Sequence, residues 1–243
     1  MSNPTAAMLV IGDEILSGRT RDANMHYLAG ALTKHGIALK EVRIVSDDRQ
    51  AIIDGVNALR AAYDTVVTSG GIGPTHDDIT AEAIAAAFGK PIDVRADARA
   101  ILETHYKASG AELNEARLRM ARIPEDATLI DNPISAAPGF TLENVHVMAG
   151  VPVIFQAMVA SVLPTLTGGA PLLSQSIRVD RGEGEIAAQL AALADEFPAL
   201  SIGSYPFQRD GAFGVNVVVR GSDAAMIDAA MARLAELFPE AVI

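Results

Sequence analysis

From residue 6 to about residue 165 the chain alternates short apolar runs with longer stretches whose apolar residues recur at helical spacing. That alternation is the pattern of parallel strands joined by crossover helices. The strand candidates are "AAMLVI", "LKEVRIV", "DTVVTS", "TLI", "GFTL" and "VHVMAG". Between them, a helix is predicted from Asn24 to His35, with Met25, Leu28, Ala29 and Leu32 in phase, and another from Arg49 to Ala62 on Ile52, Ile53, Val56 and Leu59. A third runs from Ile79 to Phe88 and leaves through Gly89 and Pro91.

The segment "LPTLTGGAPLLSQ" changes character, with two prolines and two glycines after a helix ending near Leu163. It predicts a boundary between a domain of residues 1–167 and a smaller one of residues 174–243. The second part reads as strand ("QSIRV"), helix (Glu183 to Phe197), two strands ("LSIGSYP" and "FGVNVVVR") and a last helix (Asp223 to Phe238), a small two-layer α+β module.

Composition narrows the partners. Nineteen Lys and Arg face thirty Asp and Glu among 243 residues, a formal net charge of −11. That sign disfavours nucleic acid and anionic membrane surfaces and favours small polar ligands. No cysteine is present, so a bound metal must use oxygen or imidazole, which points to a hard cation such as magnesium or manganese. No basic leader or span of about 20 apolar residues is evident, and the expected location is cytoplasmic.

Three predicted strands run into acidic loops: "GDEILSGRTRDAN", "SDDRQ" and "GGIGPTHDDIT". In an open parallel sheet the crevice beyond the carboxyl ends of the strands binds ligands, so these loops converge on one candidate site. Gly70, Gly71 and Gly73 allow backbone amides to approach an anion, and the following helix N-terminus favours negative charge. Asp77 and Asp78 in the same loop would repel that anion unless a divalent cation bridges them, which makes a metal–phosphate complex the reading that uses both halves. Helix capping is the competing role for one acid in each of the pairs Asp47/Asp48 and Asp77/Asp78.

His76 could touch phosphate, transfer a proton or simply face solvent. His26, His35, His105 and His146 are scattered, without the spacing of a histidine metal cluster. There is no GxSxG elbow and no GxxxxGK loop. "DNPISAAPGF" is either a rigid turn or another wall of the crevice. "GAFG", Gly211 to Gly214, spells GxxG, but it lies between predicted strands in a segment with five Arg against ten acids from Ser174 onward, so a hairpin loop is expected rather than a nucleic-acid contact.

Taken in order, "GDEILSG", "DAN", "TSGGIGPTHDDIT", "NPISAAPGF" and "AGVP" resemble the molybdopterin-binding domain family of MoaB- and MogA-like proteins, and most closely its competence/damage-inducible protein A (CinA) branch, over residues 6–165. The resemblance implies a three-layer α/β/α sandwich with a mostly parallel sheet. It implies phosphate binding by Gly70, Gly71, Gly73, Pro74 and Thr75, with Asp78, Asp47 and Glu14 as catalytic and metal-holding acids. Asp13, Asn24, Ser69, His76, Asn132, Pro138 and Gly139 would contact substrate. The implied activity is divalent-metal-dependent (magnesium, manganese or cobalt) cleavage of ADP-ribose or a related nucleotide. Molybdopterin binding or adenylyl transfer in cofactor biosynthesis, and a non-catalytic binding role, remain open. Ser135, Ala149 and Ile154 depart from the family pattern, which has glycine, proline and an acid there. The sequence ends after the small module, so no amidase activity is expected, and a homo-oligomer is, with dimer preferred over trimer.

Overall fold

The computed structural model describes residues 3–209 and 212–242. The chain divides into two compact units, residues 1–169 and 170–243. The first runs β1 (Thr5–Ile11), α1 (Asp13–Leu16), α2 (Asn24–Lys34), β2 (Ala38–Val45), α3 (Arg49–Ala62), β3 (Thr65–Ser69), α4 (Thr80–Ala87), β4 (Ile92–Val94), α5 (Ala96–Ser109), α6 (Glu115–Leu118), β5 (Arg122–Pro124), β6 (Thr128–Ile130), β7 (Gly139–Leu142), β8 (Val145–Met148) and α7 (Pro152–Val162). Among the described residues no helix is long and apolar enough to cross a membrane.

The main sheet has the order β2-β1-β3-β8-β7-β6. β2, β1, β3 and β8 are parallel, and β7 and β6 add antiparallel at one edge. β1 explains why a three-layer sandwich forms. Its residues are apolar at successive positions, so both faces of the strand need cover. Ala7, Leu9 and Ile11 pack with Ile52, Val56 and Leu59 of α3, Ala83 and Ile84 of α4, and Ala98 and Leu102 of α5. Ala6, Met8 and Val10 pack on the opposite face with Leu28 and Leu32 of α2 and with Phe155, Met158 and Val159 of α7. Burying each Val, Leu, Ile, Met or Phe among them fully contributes about 1.5–3 kcal/mol before chain entropy is set against it.

β1 is flanked by β2 on one side and β3 on the other. The chain therefore leaves β1 in one direction and returns past it in the other, and the carboxyl ends of β1 and β3 bound the crevice that such a reversal opens. β4 and β5 pair in a separate small ribbon, which the sequence patterning does not reveal.

The second unit is β9 (Leu173–Val179), α8 (Glu183–Glu196), β10 (Ser201–Arg209), β11 (Ala212–Gly221) and α9 (Ala224–Leu237). Its antiparallel sheet has the order β10-β11-β9. Ile177, Val179, Val215, Val217 and Val219 line one sheet face and pack with Ile186 and Leu193 of α8 and Ile227, Met231 and Leu234 of α9. The expected GAFG loop is placed in part: Gly211 lies outside the described residues, and Ala212, Phe213 and Gly214 belong to β11, paired with Arg209, Gln208 and Phe207 of β10.

Candidate functional site

A cleft of about 500 Å³ opens at the carboxyl ends of the parallel strands. The loop after β1 brings Gly12, Glu14 and Thr20; the loop after β2 brings Asp47; and the loop after β3 brings Gly70, Gly71, Ile72, Gly73, Pro74, Asp77 and Asp78. The opposite wall is Asn132, Ser135 and Ala137 before β7, then Ala149, Gly150, Val151, Pro152 and Ile154 after β8. Met120 completes it.

The glycine loop is held by its approach to neighbouring backbone. A Cβ on Gly70, whose φ is +110°, would stand 2.2 Å from the Ile11 carbonyl oxygen. On Gly71, at φ +68°, it would stand 2.1 Å from Thr80 Oγ1. Thr80 is fully buried and fastens the loop twice, its hydroxyl donating to the Gly70 carbonyl (3.0 Å) and its amide to that of Gly71 (2.9 Å). Among the described residues, no protein acceptor takes the amides of Gly71, Ile72 and Gly73. Those three residues line the same cleft as the acids.

The acids differ in their engagements. Asp48 caps α3, accepting from the Ala51 amide at 2.8 Å. Its neighbour Asp47 is left to the cleft, where one oxygen accepts from the Asp13 amide at 2.9 Å. Burial raises the Asp47 pKa above the usual carboxylate value, the Asp13 amide opposes this, and the charges of Asp13, Glu14 and Asp77 raise it further. Asp78 does not cap the following helix, contrary to one reading of its position. α4 starts at Thr80 with Ile79 at its N-cap and no side-chain capping bond. The Asp78 carboxylate instead turns back on its own loop, accepting from the Thr75 amide (2.8 Å) and hydroxyl (2.5 Å).

A model of the "Probable molybdopterin binding domain" family matches residues 7–168. The chain belongs to the molybdopterin-binding domain family. Residues 171–243 match a second family, "FAD synthase, middle domain". A "Probable FAD synthase" from Caenorhabditis elegans is 32% identical across 96% of this chain and 50% of its own length. A "CinA-like protein" from Citrifermentans bemidjiense is 38% identical across 67% of this chain and 40% of its own. The chain thus spans half or less of these two relatives. The crystal structure of the protein CinA from Thermoplasma acidophilum superposes with a TM-score of 0.62 at 32% identity, covering 68% of this chain and 99% of that one.

Within this molybdopterin-binding domain the cleft gathers Glu14, Asp47, Gly70, Gly71, Gly73, Pro74, Asp78 and Asn132 of the expected site residues. The others stand elsewhere. Asn24 is buried beneath the cleft, where Nδ2 donates to Ser69 Oγ (2.8 Å) and to the Gly150 carbonyl (2.7 Å), tying the ends of β3 and β8 together. Asn24 and Ser69 therefore support the loops from below. Asp13 contributes its backbone amide to Asp47, and Thr75 serves Asp78. The His76 side chain is 98% exposed, with Asp77 at 3.8 Å. Gly139 is buried within β7 opposite Ile130, and Pro138 borders a small adjoining cavity with Arg119 and Arg122.

The departures from the family pattern acquire roles. Ser135 Oγ accepts from Asn132 Nδ2 at 2.7 Å, and Asn132 Oδ1 accepts the amides of Ile134 and Ser135, so the asparagine shapes this wall. Ala149 and Ile154 make the floor after β8 apolar, continuous with Val151 and Met120.

Sequence reasoning missed Met120, which lines the cleft, and Arg119 and Arg122, which line the adjoining cavity, all from a segment of weak periodicity. Arg119 Nη2 donates to the Asp78 carbonyl at 3.3 Å, and Glu82 forms ion pairs with both arginines. Three arginines in "ARLRMARIP" were the available signal, without any indication of where they point.

The carboxylate oxygens suit a hard divalent cation. Among the described residues no group of three His, Asp or Glu is already arranged to hold one, so Asp78, Asp47 and Glu14 line one cleft without forming a preset triad. Asp47, crowded by like charge, fits a ligand that would relieve that crowding.

Proposed function

We propose that the cleft binds the phosphates of a nucleotide and, with a divalent cation, cleaves a pyrophosphate in ADP-ribose, FAD or a related dinucleotide. One observation carries this reading: three uncommitted loop amides and four carboxylates edge a single cleft. The amides of Gly71, Ile72 and Gly73 would hold a phosphate, while Met120, Val151 and Ile154 would exclude water on the side of the organic group. Asp47, Asp78 and Glu14 would hold the metal, whose chemistry when bound is charge neutralisation and polarisation of the phosphoryl group. Glu14 would act as a metal ligand or as the base that takes a proton from the attacking water. The names of the FAD synthase relatives add FAD to the substrates worth testing.

The purified chain, given ADP-ribose or FAD with magnesium, manganese or cobalt, should release mononucleotides. Absence of turnover across all combinations removes the hydrolase reading. The description of the matching family supports a second reading, molybdopterin as the ligand. Deleting the gene should then lower molybdoenzyme activity, and normal activity in the deletion strain removes that reading.

A further inference from the structure

The second unit covers only one face of its sheet. Outward-facing strand positions are Ser174, Ser176 and Arg178 on β9, Gly214, Asn216, Val218 and Arg220 on β11, and Ser201, Gly203, Tyr205 and Phe207 on β10, as the alternation with the packed Ile177, Val179, Val215, Val217 and Val219 requires. No carboxylate occupies these positions, in a unit that is acidic as a whole. Two aromatic rings lie over glycines on this face. A Cβ on Gly203 would meet the Tyr205 ring at 3.3 Å, and one on Gly214 the Phe207 ring at 2.5 Å.

The two rings differ in what covers them. Arg178 lies over Phe207, 4.7 Å from its centroid, and is itself held by Asp180 at 2.7 Å, which accounts for that pair as local packing. Tyr205 is 46% exposed, and the Arg220 guanidinium lies over its ring at 5.8 Å from the centroid, a looser approach than that of Arg178 to Phe207. Asn216 is opposite Tyr205 in the strand register and on the same face. A half-exposed ring, a loosely placed guanidinium that can turn to an anion and an exposed amide across from it meet the needs of a base, its phosphate and its polar edge respectively.

We propose that this sheet face binds a mononucleotide, with the base stacked on Tyr205, its edge at Asn216 and its phosphate at Arg220. The size follows from charge. A strand of nucleic acid is retained through many phosphate contacts, whereas residues 174–243 carry five Arg against ten Asp and Glu, and a mononucleotide needs one favourable contact. The site uses residues of the second unit alone and does not depend on the chemistry of the cleft.

Calorimetric titration of the full chain with AMP tests this directly. A binding event should appear that Tyr205→Leu, which keeps apolar cover over Gly203, and Arg220→Gln each weaken at least tenfold. Melting temperature and any turnover in the cleft should stay at wild-type values. Adenosine should bind the same site at least tenfold more weakly than AMP. AMP binding that is absent, or unaltered by both substitutions, or matched by adenosine, overturns the proposal. An eight-nucleotide oligo(A) that binds more tightly than AMP through Tyr205 and Arg220 overturns the mononucleotide in favour of a strand.

Discussion

The amide of Asp13 donates to Asp47 Oδ2 at 2.9 Å, joining the loops that follow β1 and β2 across the mouth of the cleft. This bond fixes one oxygen of Asp47 and leaves the carboxylate among Asp13, Glu14 and Asp77, whose charges add to burial in raising its pKa. Asp47 is therefore kept at a cost to the fold, as expected for a group retained for binding or chemistry.

Replacing Asp47 with Asn should separate that cost from its use. A carboxylate whose folded pKa is raised destabilises the fold above that pKa, and the penalty fades as pH falls through the folded value towards the unfolded one. Asp47→Asn should thus raise stability at neutral pH, with no gain left near pH 3. Under the proposed metal-dependent cleavage, turnover should fall about a hundredfold or more. Urea unfolding at the two pH values, alongside a turnover assay, measures both, and a neutral-pH loss of stability would contradict the crowding account.

Gly71 offers a test of the loop itself. Alanine there must adopt φ near +68° and share space with Thr80 Oγ1, so Gly71→Ala should cost about 2–4 kcal/mol. Adding Thr80→Ala removes the clashing oxygen, and the double variant should lose less than the two single losses summed. Strict additivity in a denaturant series would mean the two residues do not meet as described.

His146 gives the fold an acid-sensitive element. It lies buried in β8, with Nδ1 2.8 Å from Thr141 Oγ1, and burial lowers its pKa from 6.5 to about 4. Between those values the unfolded chain binds the proton that the folded chain refuses, so stability is lost as pH falls from 6.5 to 4, by up to about 3 kcal/mol. In His146→Gln this contribution is absent. The stability difference between wild type and variant should shift by that amount between pH 7 and pH 4, and a constant difference would rule the histidine out as its source.

The parts of the fold legible in the sequence are those where a local pattern and the tertiary environment agree. β1, buried on both faces, reads as a continuous apolar run, and α3 carries both its cap at Asp48 and its stripe of Ile52, Val56 and Leu59. The segment between Gly89 and Ala127 carries no clear pattern in the sequence, because α5 buries only Ala98 and Leu102 and each strand of the β4–β5 pair is three residues long. The glycine cradle and its acids could be read from strand, loop and helix in succession. The turn of Asp78 onto Thr75 could not, since either a helix amide or a loop amide would satisfy a carboxylate at that position. Asn24 was similarly ambiguous: its bridge between Ser69 and Gly150 joins residues 45 and 126 positions away.

Asp78 decides between structure and chemistry in the loop. Its bonds to the Thr75 amide and hydroxyl need an acceptor, and an asparagine carbonyl oxygen supplies one, so Asp78→Asn should keep the turn and cost no more than about 1 kcal/mol. Asp78→Ala removes the acceptor and leaves the Thr75 donors to solvent at an exposed site, a loss of similar or slightly larger size. If the carboxylate only shapes the loop, Asn should therefore sustain turnover and Ala should reduce it. If its charge holds a cation against phosphate, both variants should lose about two orders of magnitude or more in metal-dependent turnover. Phosphate affinity without metal should then rise slightly in the Asn variant, because a repelling charge has gone. Turnover at the wild-type rate in Asp78→Asn, with a melting temperature near that of the parent, would assign this acid to the turn and leave Asp47 and Glu14 as the cleft's charged machinery.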